Sequence, residues 1–281
     1  MSVTFVIDSA SDVLPEEAAA LGVAHLPLKV IFGETEYADA VTLSHSEFYE
    51  KLTSSKVFPS TSQLTPGEFA DCYGPLVAAG HDVVVITVSS KLSGTYQSAM
   101  IAASEFPGKV FVVDSLSAAI GERILLERGL QLAEQGLSAR EIAETLDVEK
   151  SRVRVMAMID TLEYLKKGGR ISTATALAGG LLSIKPAIEI RGGEVAMAGK
   201  ARGMQQACAL LKNSIENYGG VNFDMPFALV YANTDEQLRT FIENTPELWG
   251  GRRSLPCHSL GCVIGAHIGP GAFGIAFFEA E

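Results

Sequence analysis

The sequence predicts an α/β fold whose first half contains a parallel sheet. Apolar, strand-like segments alternate with helical segments through the first 150 residues, which is typical of a parallel sheet covered by helices. One such apolar segment, 83–88, leads into a helix through the hydroxyl-rich turn 89–95. The alternation changes near residue 150, although no linker rich in proline or serine marks that point. We therefore expect two α/β domains, 1–150 with the parallel sheet and 151–281 with a mixed sheet.

In the first half, apolar runs predict the strands and capping signals predict where helices begin. The clearest start is Thr65-Pro66-Gly67-Glu68, which places proline at the first helical position and glutamate three residues after the cap. Ser44 and Ser138 begin similar capping boxes. Strands are predicted at 3–7, 83–88 and 109–113, and helices at 15–21, 44–52, 65–80, 95–105, 120–135 and 139–147.

In the second half, the pattern indicates a mixed sheet. Arg191-Gly192-Gly193 between two apolar segments predicts a β-hairpin. The remaining strands are predicted at 153–159, 227–231, 257–265 and 274–278, and helices at 161–166, 204–218 and 235–244. We expect the glycine-rich segment 264–274 to be a tight loop that presents His267.

Composition excludes several classes of protein. The 33 acidic and 22 basic residues give a net charge of −11, which argues against nucleic-acid binding and against binding to anionic membrane surfaces. The sequence shows no signal peptide and no apolar run of membrane-spanning length. The four cysteines form no CxxC motif, so we expect reduced thiols in a cytoplasmic protein.

The turn 89–95 has the composition of an anion site. The start of a helix presents free backbone N–H groups with partial positive charge. Ser93 and Thr95 would add hydroxyl groups, and Gly94 would allow a ligand to approach the backbone. The site would hold a carboxylate or a phosphate. The alternative is that Ser93 only caps the helix.

Three other polar segments lie at positions where ligands bind in open α/β sheets. They are 8–12, 59–63 and 114–115, and the second contains Thr61 and Ser62. Hydroxyl groups from these segments could meet Ser93 around one anion, or they could serve only as caps and turns.

Arg170 and His267 are two further candidates for anion binding. Arg170 follows two glycines, and guanidinium groups suit carboxylates and phosphates. His267 could donate to an anion from its glycine-rich segment. The alternatives are a solvated arginine after a helix end and a structural histidine.

The motifs that would indicate nucleotide binding, hydrolase activity or metal binding are incomplete in this sequence. Gly269, Gly271 and Gly274 satisfy GxGxxG, but a strand rather than a helix should follow them. The segment 193–201 has the wrong spacing for a P-loop, and Lys91 replaces the glycine of a GxSxG elbow. The five histidines show no metal-ligand spacing. We expect no cofactor and no metal.

The polar segments, taken together and in order, resemble the DegV family of bacterial fatty-acid-binding proteins, and the resemblance runs along essentially the whole chain. The matching segments are 8–12, 27–30, 61–63, 90–99, 113–115, 165–171, 184–186, 199–203 and 265–271.

The resemblance implies two α/β domains with a long-chain fatty acid between them. Thr61, Ser93 and His267 would hold its carboxylate, with Ser62, Gly94 and Thr95 beside them, and Arg170 would assist phosphoryl transfer or docking. A separate ATP-dependent fatty acid kinase would phosphorylate the bound carboxylate, and the acyl phosphate would pass to phospholipid synthesis. This chain would have no catalytic residues of its own. The alternatives are a serine hydrolase using Ser93 and His267, and a binding module for a small phosphorylated ligand.

Overall fold

The computed structural model describes residues 2–171 and 184–280, and these form an α/β fold with three sheets. The strands are β1 (Val3–Asp8), β2 (Val23–Leu26), β3 (Lys29–Phe32), β4 (Thr35–Ala38), β5 (Ser60–Ser62), β6 (Asp82–Thr87), β7 (Val110–Asp114), β8 (Val153–Met158), β9 (Ile184–Arg191), β10 (Glu194–Arg202), β11 (Phe227–Tyr231), β12 (Cys257–Ser259) and β13 (Phe273–Phe278).

Ten α-helices connect these strands within the described residues. They are α1 (Pro15–Ala20), α2 (His45–Ser54), α3 (Pro66–Ala78), α4 (Thr95–Ala103), α5 (Ile120–Glu134), α6 (Ala139–Glu149), α7 (Glu163–Lys167), α8 (Gly203–Asn217), α9 (Glu236–Asn244) and α10 (Cys262–Ile268). None of the helices in 2–171 and 184–280 combines the length and the hydropathy that crossing a bilayer requires.

The first sheet has the strand order β2-β1-β6-β7, and all its pairings are parallel. Four consecutive residues of β6, 83–86, are fully buried, as expected for a strand covered on both faces. The parallel sheet predicted for the first half is therefore confirmed. A small antiparallel sheet, β4-β3-β5, lies outside it.

The second large sheet has the order β10-β9-β8-β13-β11-β12 and is antiparallel except for the pair β11–β12. Successive side chains of a strand point to opposite faces of a sheet. Met156 and Met158 accordingly pack in a core with residues of α8 and α9, whereas Val153 and Ala157 belong to the core shared with the first sheet. The sequence boundary near residue 150 stays a prediction.

Local capping signals were accurate guides to the helices. Ser44, Thr65 and Ser138 each accept a hydrogen bond from the backbone N–H three residues later, and each completes a capping box. Two expectations were wrong or incomplete. The predicted strand 257–265 ends at Ser259, and α10 follows it, so His267 lies in the last turn of a helix and not in a tight loop. The short strands β2–β5 were not predicted, and β5 falls in a segment interpreted as a polar loop.

Candidate functional site

A cavity of about 370 Å³ lies between the two large sheets, where residues of both halves of the chain face each other. This volume is within the range of about 300–1,000 Å³ that is typical of small-molecule pockets. Most of its wall is aliphatic: Leu28, Val88, Leu92, Val155, Ile188, Ile190, Val195, Val230, Leu260, Val263, Ile264 and Ile268. Such a wall cannot satisfy a polar ligand along most of its length.

Polar side chains border the cavity at only a few positions. They are Thr61, Ser62, Gln63, Ser93, Arg170, Glu189 and His267. The carboxylate of Glu189 is already paired, because it accepts hydrogen bonds from Arg191 and from the hydroxyl of Tyr218, the latter at 3.4 Å. The other polar residues belong to the segments that the sequence singled out as candidate anion sites.

Thr61 and His267, which are 206 residues apart in the sequence, meet at the cavity wall. Thr61 is held in β5 by pairing with Val30, and its Oγ1 lies 2.9 Å from His267 Nε2. Burial, with a smaller contribution from Arg170, lowers the pKa of His267 from 6.5 to about 4. The imidazole is therefore neutral at neutral pH, and its other nitrogen, Nδ1, is buried with no partner among the described residues.

The position of His267 depends on two aspartates from the first half of the chain. Asp12 Oδ1 accepts a hydrogen bond from Gly261 N at 2.8 Å, and Asp39 Oδ1 accepts one from Cys262 N at 3.0 Å. Both carboxylates thus satisfy backbone N–H groups at the start of α10. Because α10 is only seven residues long, these contacts also determine where its last turn presents His267.

The turn after β6 is organised by its own hydroxyl groups. Ser93 Oγ lies 2.8 Å from Thr95 Oγ1 and accepts a hydrogen bond from Thr95 N at 3.2 Å. Ser93 therefore does assist the start of α4, but it also borders the cavity. Gly94 leaves room for the side chain of Gln63, because a Cβ atom at this position would lie 2.1 Å from Gln63 Oε1 and would displace that amide. Among the described residues that line the cavity, Gly94 and Thr95 do not occur.

Arg170 connects two segments beside the polar end of the cavity, which Thr61, Ser93 and His267 border and which we call its head. Its Nε donates to the carbonyl oxygen of Leu92 at 3.2 Å, and its Nη1 donates to that of Gly168 at 2.7 Å. The guanidinium is thereby held next to the Ser93 turn and close enough to His267 to affect its pKa. It supplies the positive charge that a carboxylate or phosphate would need in a chain of net charge −11.

The other two predicted polar segments have structural roles. Asp8 accepts hydrogen bonds from Val88 N and Ala10 N, both at 2.9 Å, and burial raises the pKa of its carboxyl to about 7. Asp114 Oδ1 accepts from Ser90 N and Leu116 N, both at 3.0 Å. These carboxyl groups stabilise the turns at the edge of the sheet, and neither is among the residues that line the cavity.

The tip of the β9–β10 hairpin closes against the turn after β6. Ser89 Oγ donates to the carbonyl oxygen of Gly193 at 2.7 Å in a buried position. Gly193 has φ +87°, and a Cβ atom there would lie 2.6 Å from Ser89 Oγ. The contact joins the two halves of the chain beside the cavity, whose wall includes Ile190 and Val195 from the same hairpin.

The structure thus brings together five of the seven candidate residues: Thr61, Ser62, Ser93, Arg170 and His267 line one cavity. Sequence reasoning missed Gln63, although it stands inside one of the polar segments. In the described residues Ser93 bonds to Thr95 and His267 to Thr61, so there is no Ser93–His267 pair and no acidic partner for His267. This arrangement does not form a serine hydrolase triad.

Comparison with known proteins finds relatives that match nearly the whole chain. The sequence model of the DegV family, described as a family of uncharacterised proteins, matches residues 2–280. A DegV domain-containing protein from Deinococcus radiodurans is 37% identical over 277 residues, which is 98% of each chain.

Two solved structures show the same fold. A DegV family protein from Thermus thermophilus, described as fatty-acid binding, superposes with a TM-score of 0.91 at 32% identity over the full length of both chains. A stearic-acid-binding protein from Eubacterium ventriosum superposes with a TM-score of 0.82 at 28% identity, covering 98% of this chain and 97% of the other.

Proposed function

Because the chain belongs to the DegV family, we propose that it binds one long-chain fatty acid in the cavity between its two large sheets. Thr61, Ser93 and His267 bind the carboxylate, and the aliphatic wall encloses the alkyl tail. The observation that carries the proposal is the distribution of polar groups around the cavity. The wall is apolar nearly throughout, and hydroxyl, imidazole and guanidinium groups lie together in one region. A small phosphorylated ligand would leave most of that wall without a partner.

Burial of the tail supplies most of the affinity. About 0.8 kcal/mol per buried methylene gives on the order of 12 kcal/mol for a sixteen-carbon chain. Loss of translational and conformational freedom offsets a large part of this gain. The contacts to the carboxylate then serve mainly to orient the ligand, with its reactive end at the Thr61–His267 pair.

The head region is suited to a carboxylate in a dry environment. A neutral His267 and the two hydroxyl groups can donate hydrogen bonds without burying an additional unpaired charge. Arg170, whose Nε and Nη1 are fixed by backbone carbonyls, contributes the compensating positive charge at short range.

The second part of the proposal is that the protein presents its ligand to a separate ATP-dependent fatty acid kinase. The protein itself acts as a carrier and not as a catalyst, and the acyl phosphate formed passes to phospholipid synthesis. Support comes from the position of Arg170, which stands at the head of the cavity after Gly169, a glycine with φ +69°. The four cysteines are free thiols, which fits the cytoplasmic location that this role requires.

Binding is tested by native mass spectrometry of the purified protein, followed by delipidation and titration with palmitate. We expect one bound fatty acid per chain. Ser93→Ala should retain the lipid with affinity reduced about fivefold to 150-fold, because a buried carboxylate oxygen loses a donor worth about 1–3 kcal/mol. Ser90→Ala, on the exposed side of the same turn, is the matched control. A ligand structure with the carboxylate beyond hydrogen-bond distance of Ser93 and His267 would refute the placement.

Presentation is tested separately with Arg170→Ala. This variant should retain fatty acid but yield little acyl phosphate when it is mixed with a cognate kinase and ATP. Bound lipid and ATP consumption are measured on the same sample. Normal phosphorylation by the variant would show that Arg170 only braces the Leu92 and Gly168 segments.

A further inference from the structure

Three side chains with metal-binding atoms meet at the start of α10, away from the polar head of the cavity. They are Asp39, His45 and Cys262, which we call the Asp–His–Cys cluster. One ligand atom from each lies within 4.8 Å of the others. Asp39 and Cys262 are buried and His45 is half-buried, so the cluster is enclosed but can be reached from solvent.

A fourth group, Asp12, borders the same point. If Gly261 carried a Cβ atom, Asp12 Oδ1 would be 3.0 Å from it, and Asp39 Oδ2 and His45 Nε2 would each be 3.4 Å away. The two carboxylates and the imidazole therefore converge on one small volume. Asp12 is 3% exposed, and its Oδ2 is buried without a hydrogen-bond partner in the described structure.

Hydrogen bonds, and not cationic side chains, satisfy the carboxylates in this region of the described structure. Asp39 accepts three of them and Asp12 accepts one. Burial raises the pKa of the Asp12 carboxyl well above its usual value. Arg123 donates to the backbone carbonyl oxygen of Asp12, but its guanidinium also pairs with the carboxylates of Glu17 and Glu127. A bound cation would supply a positive charge beside Asp39 that no side chain in the described structure supplies.

We propose that Asp39, His45 and Cys262 bind a Zn²⁺ ion, with a water molecule as the fourth ligand. Mixed oxygen, nitrogen and sulfur donors in a four-coordinate arrangement are typical of zinc. His45 Nδ1 is hydrogen-bonded to Ser259 Oγ, which fixes the ring with Nε2 facing the cluster, as an outer partner does in known zinc sites. Binding converts the Cys262 thiol to a thiolate, and the proton is released to solvent.

The hydrogen bonds already present limit how this site can bind a metal. Asp39 Oδ2 accepts from Val263 N and Ser9 Oγ, which uses both of its lone pairs, whereas Asp39 Oδ1 accepts only from Cys262 N and keeps one lone pair for a metal. The Cys262 thiol donates to the carbonyl oxygens of Leu43 at 3.5 Å and Ser44 at 3.9 Å, and zinc binding would replace both contacts as the thiol loses its proton. The metal would tie α2 and the segment before it to α10, whose last turn carries His267.

The test uses the full-length protein, stripped of metal with a chelator and titrated with ZnCl₂ by calorimetry and with CoCl₂ by absorption spectroscopy. We expect one metal ion per chain and a thiolate-to-cobalt charge-transfer band in the unaltered protein. His45→Gln and Cys262→Ser should each weaken zinc binding by about 100-fold or more, since a direct ligand is lost. Cys257→Ser, which removes an exposed thiol, should change neither signal.

Two results would overturn the proposal. One is the absence of a thiolate-to-cobalt band in the unaltered protein, a measurement that does not depend on any variant folding. The other is zinc binding that survives in both His45→Gln and Cys262→Ser, or that is lost in Cys257→Ser.

Discussion

Gly168→Ala tests the role of His267, because the methyl group that it adds would come closest to the imidazole ring. Gly168 has φ −75°, a conformation that alanine adopts freely. Its Cβ, however, would lie 2.2 Å from His267 Nδ1, 2.9 Å from Cε1 and 3.1 Å from the carbonyl oxygen of Tyr164. The ring must move by about 1 Å to reach ordinary van der Waals contact. That movement breaks or stretches its hydrogen bond to Thr61.

The expected cost follows from two opposing effects. Overpacking costs about 1–3 kcal/mol and loss of the Thr61–His267 hydrogen bond about 0.5–1.5 kcal/mol. Replacing a glycine returns about 0.4–1 kcal/mol through the unfolded state. We expect a net loss of about 2 kcal/mol in the free energy of unfolding, which lowers the Tm by several degrees. Fatty acid affinity should fall about tenfold, since a displaced imidazole no longer meets the carboxylate.

The assay is a fluorescent fatty acid displacement titration together with a thermal melt. Gly67→Ala is the matched control, because a Cβ in the first turn of α3 would meet only Thr65 Oγ1, at an ordinary contact distance of 3.9 Å. If Gly168→Ala and Gly67→Ala bind fatty acid equally well, the reasoning that places the carboxylate at His267 is refuted.

Three further predictions concern pH, cavity volume and closure. Between pH 6.5 and 4, His267 is protonated in the unfolded chain but stays neutral in the folded chain, where its pKa is lowered to about 4, so the stability of the protein falls as the pH falls. Urea titrations should show a loss of about 3 kcal/mol in the free energy of unfolding across this window, and the His267→Gln variant should lack that loss. Parallel pH profiles for the two proteins would contradict the prediction. Val230→Phe should fill the cavity and abolish palmitate binding in a titration while the protein stays folded by circular dichroism; undiminished binding would place the tail elsewhere. Ser89→Ala removes the contact to Gly193 and should raise the fatty acid dissociation rate about fivefold in stopped-flow measurements, with an unchanged rate showing that the hairpin tip does not limit release.

The elements that the sequence predicted well are those set by neighbouring residues. Thr65-Pro66-Gly67-Glu68 contains its whole helix start, and the structure forms that capping box. The helix α10 was missed because its start is satisfied from a distance: Asp12 and Asp39, more than 200 residues earlier, accept its first hydrogen bonds. A glycine-rich segment without a local cap looks like a turn in sequence.

The candidate site was predictable in its polar part and not in its apolar part. Ser93 and Arg170 stand out as polar groups next to glycine, and Thr61 stands out in a run of polar residues just before a helix start, positions at which ligand sites form. Val230 and Ile188 cannot be distinguished in sequence from ordinary core residues, because a cavity wall and a packed core use the same side chains. Gly168 was visible only as a helix end, whereas its contact with His267 is a property of the folded chain.

The position of β13 has a consequence for synthesis on the ribosome. This strand lies between β8 and β11 in the six-stranded sheet, and its residues pair with 153–158 on one side and with 227–231 on the other. The sheet therefore cannot close until residues 273–278 have emerged, and α10 is made only just before them. Contacts that join such distant residues form late in folding. A nascent chain that ends before β13 consequently lacks the strand that joins β8 to β11, and with it the complete sheet that forms one side of the cavity.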